Sequence, residues 1–178
     1  MSIRLLRGPD AVAFQALRLE SLQANPEAFL STYEAEAGWH EDYFASQLDY
    51  NYHPPHLGYF GIFLPKNPAD PEGGEELVGY VLVSKSFLDK QPHIVFLNNL
   101  YIQKNHRGKG LATQLLDYVT KLLKQTEHIE QIILSCTASN TPALQFYQKH
   151  GFTRTGVRKE SSKWQGKYDD EIEMVKIV

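Results

Sequence analysis

The stretch that most constrains this chain is Asn105-His106-Arg107-Gly108-Lys109-Gly110-Leu111-Ala112. It follows a strand-like run, Ile94 to Ile102, and opens a long amphipathic helix whose buried stripe is marked by Leu111, Leu115, Val119, Leu122 and Leu123. Two glycines one residue apart let the backbone turn sharply and leave several N–H groups pointing the same way. The positive end of the helix dipole falls at the same spot, and Arg107 and Lys109 add cationic side chains, so the turn suits a phosphate. The spacing alone fits a plain strand-to-helix turn with two solvated basic residues equally well. A Walker A loop needs Gly, four residues, then Gly-Lys-Ser/Thr, an order Gly108-Lys109-Gly110 does not supply. A dinucleotide fingerprint would put a third small residue at Thr113 and would open the first βαβ unit, whereas this turn comes behind two helices and several strands.

Those elements follow from periodicity and breakers. Ile3 to Leu6 reads as a first strand, and Gly8-Pro9-Asp10 as the start of a helix from Ala11 to Leu22 with Val12, Ala16, Leu19 and Leu22 at helical spacing. Asn25-Pro26 ends it. A loop with a turn of helix, Phe29 to Trp39, leads to a second helix at about His40 to Tyr50. After the breaker His53-Pro54-Pro55 come strands at Leu57 to Leu64 and Leu77 to Ser84, joined by a Pro- and Gly-rich loop from Pro65 to Glu75 that reads as the most mobile segment. Ile132 to Cys136 is a strand, Asn140-Thr141-Pro142 opens a helix ending at His150-Gly151, and strands at about Phe152 to Arg158 and Asp170 to Ile177 close the chain.

Composition narrows the class. With 178 residues, 18 basic and 21 acidic side chains and one Cys, the chain fits a single domain, 1–178, without a disulfide framework or a Cys-rich zinc site. The net charge of −3 gives no reason to expect a nucleic-acid or membrane partner, and no apolar run approaches a bilayer span. Met1 to Arg7 lacks the marks of a signal peptide, so the expected location is cytoplasmic.

The strand to Gln103, the turn to Ala112 and the downstream run from Ala138 through Asn140, Ala143 and Tyr147 to Gly151-Phe152 resemble the GCN5-related N-acetyltransferase family. Its signature is Gln or Arg, two residues, Gly, one residue, then Gly or Ala; here Asn105 takes the first place, with Gly108 and Gly110 in register. The resemblance implies an α/β fold of the α+β type: a mixed, twisted central sheet of six or seven strands flanked by helices and splayed between strands 4 and 5. It implies acetyl-CoA as donor, no metal, and a small-molecule primary amine as acceptor; a protein N-terminus or lysine, or a silent acyl-CoA-binding module, are the alternatives. A homodimer is compatible with it.

The same resemblance implies site residues. Leu100, Tyr101 and Ile102 would pair with pantetheine as a strand would. The main-chain amides of Arg107, Gly108, Lys109, Gly110, Leu111 and Ala112 would hold pyrophosphate, with Asn140, Ala143 and Tyr147 completing the cofactor site. The Ile102 amide would stabilise the oxyanion and Tyr147 would protonate the leaving thiolate. Read from the residues alone, Tyr147 is also a reasonable core aromatic and Asn140 a sufficient helix cap. No base is assigned: Asn98 and Asn99 cannot serve, which leaves ordered water or a carboxylate or His elsewhere, with Glu34, Glu36 and His93 as the candidates. Cys136 reads as a buried core thiol, so transfer is expected to be direct. Aromatics and carboxylates near both acceptor-side loops, with Tyr33, Glu34, Trp164 and Tyr168 as the candidates, suit a cationic amine.

Overall fold

Runs rich in β-branched and aromatic residues form the strands β1 (Ser2–Leu5), β2 (Gly58–Asn67), β3 (Asp70–Lys85), β4 (Ile94–Ile102), β5 (Gln131–Thr137), β6 (Thr153–Trp164) and β7 (Lys167–Ile177). The helices are α1 (Ala11–Ala24), α2 (Tyr33–Glu36), α3 (Glu41–Asn51), α4 (Leu111–Lys124) and α5 (Thr141–Lys149). The computed structural model describes residues 1–53, 57–126 and 128–178, with the backbone alone at 71 and 72. The Pro54-Pro55 pair read as a breaker lies outside the described residues. No helix among those described is long and apolar enough to cross a membrane.

The strands form one mixed sheet in the order β1-β2-β3-β4-β5-β7-β6. β4 and β5 run parallel and every other neighbouring pair is antiparallel. The β4–β5 ladder covers only Ile94–Phe96 against Gln131–Ile133, and beyond it the two strands part. The expected split between the fourth and fifth strands is therefore present. A bulge accompanies it: Tyr101 stands opposite Tyr80 and Asn98 opposite Leu82, which leaves Asn99 and Leu100 facing Val81 alone. Asn99 takes φ +56°, a left-handed conformation that asparagine tolerates better than most residues.

Helices cover both faces of the β1–β4 half. Leu111, Leu115, Leu116, Val119 and Leu123 of α4 pack with Phe60, Ile62, Val81, Val95 and Leu97, and this core runs on to Tyr147, Phe152 and Met174. On the opposite face Ala11, Phe14 and Leu17 of α1 and Phe44 and Leu48 of α3 enclose Phe63, Leu77, Tyr80 and Tyr101. The buried face of α1 differs from the expected one: Ala11, Phe14, Leu17, Ser21 and Leu22 are buried, whereas Val12 is exposed. Apolar residues surround this helix, so spacing cannot single out a face, and the tight aromatic contacts of Phe14 decide it.

Two expected loops are strands. Pro65 pairs with Glu75 and Asn67 with Asp70, so β2 and β3 continue to a turn at 68–69. β1 reaches no farther than Phe63, so Pro65 sits where β2 has β3 as its neighbour and its missing N–H breaks no ladder on the other side. The polar stretch after Arg158 likewise continues β6 to Trp164, with Lys159 bridging to Asp170 at 2.7 Å.

Candidate active site

The split in the sheet exposes one backbone edge of β4. Gln103 donates its N–H to the Val78 carbonyl across β3, so Tyr101, two residues earlier, also faces β3. Ile102 lies between them and turns its N–H and carbonyl the other way, toward β5. Tyr101 thus offers the split no backbone group. Its hydroxyl reaches the α1 face and donates to Glu20 at 2.9 Å, while the Gln103 amide holds the other Glu20 oxygen at 3.0 Å. Burial and then Glu20 push the Tyr101 phenol up to about 12.

The turn after β4 keeps its amides free. Gly108 and Gly110 both take φ +75°, and Gly110 is the residue that precedes α4. Among the described residues the N–H groups from Gly108 to Thr113 find no acceptor, and no side chain caps α4. By contrast Thr32, His40 and Asn140 cap α2, α3 and α5. A Cβ placed on Gly108 would meet no protein atom within 4 Å. Free amides converging at a positive helix end fit a diphosphate, as in the strand–turn–helix phosphate sites of other folds. Arg107 departs from the expected cradle. Its N–H donates to the Lys104 carbonyl at 3.3 Å, and its guanidinium turns inward, because the Ile102 carbonyl and Asn25 lie within its reach.

α5 borders the site from the same core as α4. Asn140 accepts from the Ala143 N–H at 3.3 Å, so this amide is used by the cap while the Asn140 NH₂ group keeps no described partner. Tyr147 is buried and stacks edge-on with Phe146 and Phe152, yet its hydroxyl makes no hydrogen bond among the described residues. Burial, and then the nearby Cys136, raise its phenol well above the usual value, which keeps it protonated. The Cys136 thiol is itself pushed up to about 11 by burial and by Asp169 and Glu171, so it carries little thiolate at neutral pH.

The acceptor-side candidates divide. Tyr33, Glu34 and Trp164 line one cavity of about 340 Å³ with Leu22, Gln23, Pro26 and Thr32. In the sequence Leu22 marks only a helix face and Pro26 only a helix end, and Gln23 and Thr32 carry no signal of a cavity. Tyr168 does not join them: it is exposed, with the Lys163 ammonium 4.7 Å above its ring. Glu36 faces a separate cavity of about 140 Å³ with Trp39, Tyr43 and Tyr59. Arg18 grips Glu36 with both arms at 2.7 and 2.9 Å. Burial opposes the Glu36 charge, but the Arg18 fork outweighs it and holds the carboxyl below its ordinary range, so Glu36 is a poor base. His93 precedes β4 at the end away from the turn. Of the three options for a base, Glu34 alone lies in the larger cavity.

Comparison with known proteins follows the same lines. Residues 21–152 match the Acetyltransferase (GNAT) family. An N-alpha-acetyltransferase of Saccharolobus solfataricus is 33% identical over 72 residues, 40% of this chain and 41% of that protein. A streptothricin acetyltransferase of Escherichia coli is 29% identical over 83 residues, covering 47% and 45%. The chain thus spans about half the length of these curated relatives. In fold, the Salmonella typhimurium protein yncA, solved with its cofactor acetyl-CoA, superposes with a TM-score of 0.74 at 16% identity over 98% of this chain and 92% of that one.

Proposed function

The chain belongs to the acetyltransferase (GNAT) family, and from that premise we propose that it moves an acetyl group from acetyl-CoA to a primary amine by direct attack in a ternary complex. The observation that carries this reading is the pairing of an unladdered β4 edge with a row of unpartnered amides at the head of α4. The amides of Gly108 to Ala112 hold the pyrophosphate. Leu100 in the bulge and the second lone pair of the Ile102 carbonyl take the pantetheine arm, with Asn140 bonding it through its free NH₂ group.

Acetyl-CoA supplies an activated acyl carbon, and the rest falls to the protein. The amine must shed its proton, since an ammonium with a pKa of about 10.4 has no lone pair to offer. Glu34, at the rim of the cavity, accepts that proton through water. As the C–N bond forms, the Ile102 N–H donates to the oxyanion. As the C–S bond breaks, the Tyr147 hydroxyl donates its proton to the sulfur, and its raised pKa makes that donor available throughout the neutral range.

The acceptor is a small molecule carrying a primary amine: the 340 Å³ cavity matches that size, and Tyr33, Trp164 and Glu34 offer a cation two aromatic faces and one carboxylate. The likeness to an N-alpha-acetyltransferase supports a peptide α-amine as the second reading. Calorimetry with acetyl-CoA, followed by CoA release on a panel of polyamines, amino acids and short peptides, tests all of this. Tight binding with no release on any amine would leave a binding module; no binding would remove the reading altogether.

A further inference from the structure

We propose that Arg107 is a positioning residue that couples the phosphate turn to the wall of the acceptor cavity, an inference that rests on the reading of that turn as the pyrophosphate site. Three contacts of one guanidinium carry it. Its Nε donates to the Ile102 carbonyl at 3.0 Å, its Nη2 donates to Asn25 Oδ1 at 2.7 Å, and its carbon lies 5.2 Å from the centroid of the Tyr101 ring. Two of the five guanidinium N–H groups are thus engaged by neutral protein oxygens.

The partners define what is being held. Asn25 ends α1, and the chain runs from it into Pro26, which lines the 340 Å³ cavity with Thr32, Tyr33 and Glu34. The 3-10 turn Pro26–Ala28 also packs on β5, across the split from β4. Ile102 is the residue whose backbone faces that split. Arg107 itself directly precedes Gly108, whose φ is +75°. A ligand that fixes the amides from Gly108 onward fixes the Cα of Arg107, and the planar, pre-shaped fork then holds Asn25 and Ile102 in one geometry. Lysine, a compact ammonium without that planar fork, does not hold both acceptors in the same geometry. Glu20 clasps the same helix to β4 through Tyr101 and Gln103, so the last turns of α1 are already anchored and the segment after Asn25 is what remains to be set.

Coupling of this kind is reciprocal and is read by a change at one end when the other is filled. The test is hydrogen exchange on the full chain with and without CoA, in the wild type and in Asn25→Ala, Asn25→Asp and Arg107→Lys. In the wild type CoA slows exchange both at 108–115 and at 27–36. In Asn25→Ala and Arg107→Lys the slowing at 108–115 persists and CoA affinity stays within about threefold, while the slowing at 27–36 is lost; Asn25→Asp, which keeps an acceptor oxygen, retains it. Equal slowing at 27–36 in all four proteins, or none there in the wild type, overturns the coupling. No slowing at 108–115 in the wild type instead overturns the phosphate reading, and the inference falls with it. An unchanged far-ultraviolet spectrum identifies folded variants, and any one of the two disrupting changes suffices.

Discussion

Ile102 and Gly79 face each other across β4 and β3 at a distance that leaves no room for a side chain on the glycine. A Cβ at Gly79 would collide with Ile102 Cδ1 and come within 2.8 Å of the Tyr101 carbonyl oxygen. Both contacts belong to the strand end whose backbone borders the split. Gly79→Ala is therefore expected to displace that end, at a cost of about 1–3 kcal/mol for overpacking. Thermal melts and acetyl-CoA titration check this: the melting point should fall by several degrees and affinity should weaken, and a variant that matches the wild type in both would contradict it.

Tyr147→Phe removes one hydroxyl and keeps the ring contacts with Phe146 and Phe152. If the hydroxyl is the acid, kcat falls by about 100-fold, within the usual range for general acid catalysis, while the Kd for acetyl-CoA hardly moves. Because burial raises this phenol, the wild-type rate should show no loss from its ionisation below pH 10. Unchanged turnover in the variant would remove Tyr147 from the chemistry.

Gly110→Val places a β-branched residue at φ +75° in the turn that precedes α4. Strain and bulk act together at the free amides, so acetyl-CoA binding should become undetectable by calorimetry. A folded variant with normal affinity would show that the phosphate sits elsewhere.

Cys136 has a thiol raised to about 11 by burial and the neighbouring carboxylates, which suppresses the thiolate a ping-pong route requires. Cys136→Ala should keep turnover within about threefold, and intact-mass measurement after acetyl-CoA alone should find no acetyl-enzyme. A stable mass gain of one acetyl group, lost on adding amine, would reverse this conclusion.

The Arg18–Glu36 pair sets a pH dependence. The folded-state pKa of Glu36 lies below its ordinary 4.5, so the pair stabilises the fold above that value and the contribution is lost as pH falls through the lower folded value. Glu36→Gln strands the half-buried Arg18 charge and should cost about 3 kcal/mol at pH 7. Urea melts at pH 7 and pH 3 read the difference: the gap between variant and wild type should narrow in acid, and a gap that stays constant would count against the pair.

Much of this architecture was legible along the chain, because its signals are local. Gly108 and Gly110 announce a backbone that only glycine adopts easily, α4 shows its buried stripe through Leu111, Leu115, Val119 and Leu123, and Asn140 with Pro142 marks the start of α5. Strand β4 has the bounds its pattern predicts, since it opens on a continuous apolar run, Ile94 to Leu97. The hairpin stretches around Pro65 and after Arg158 look like loops in the sequence because Pro, Gly and charge are poor strand formers alone, and only pairing with the neighbouring strand rescues them.

What no local pattern could reveal depends on side chains far apart in the chain. Arg107 carries the same charge whether it points at a phosphate or at Asn25, 82 residues away, and only packing chooses the second. Glu36 is one acidic residue among several until α1 brings Arg18 against it, and Tyr168 and Trp164 are both exposed aromatics of one hairpin, of which only Trp164 is brought to the cavity. Residue type and spacing settle which backbone conformations are affordable, since those energies act within a few residues. Direction, burial and ionisation arise from long-range contacts, so they belong to the folded molecule.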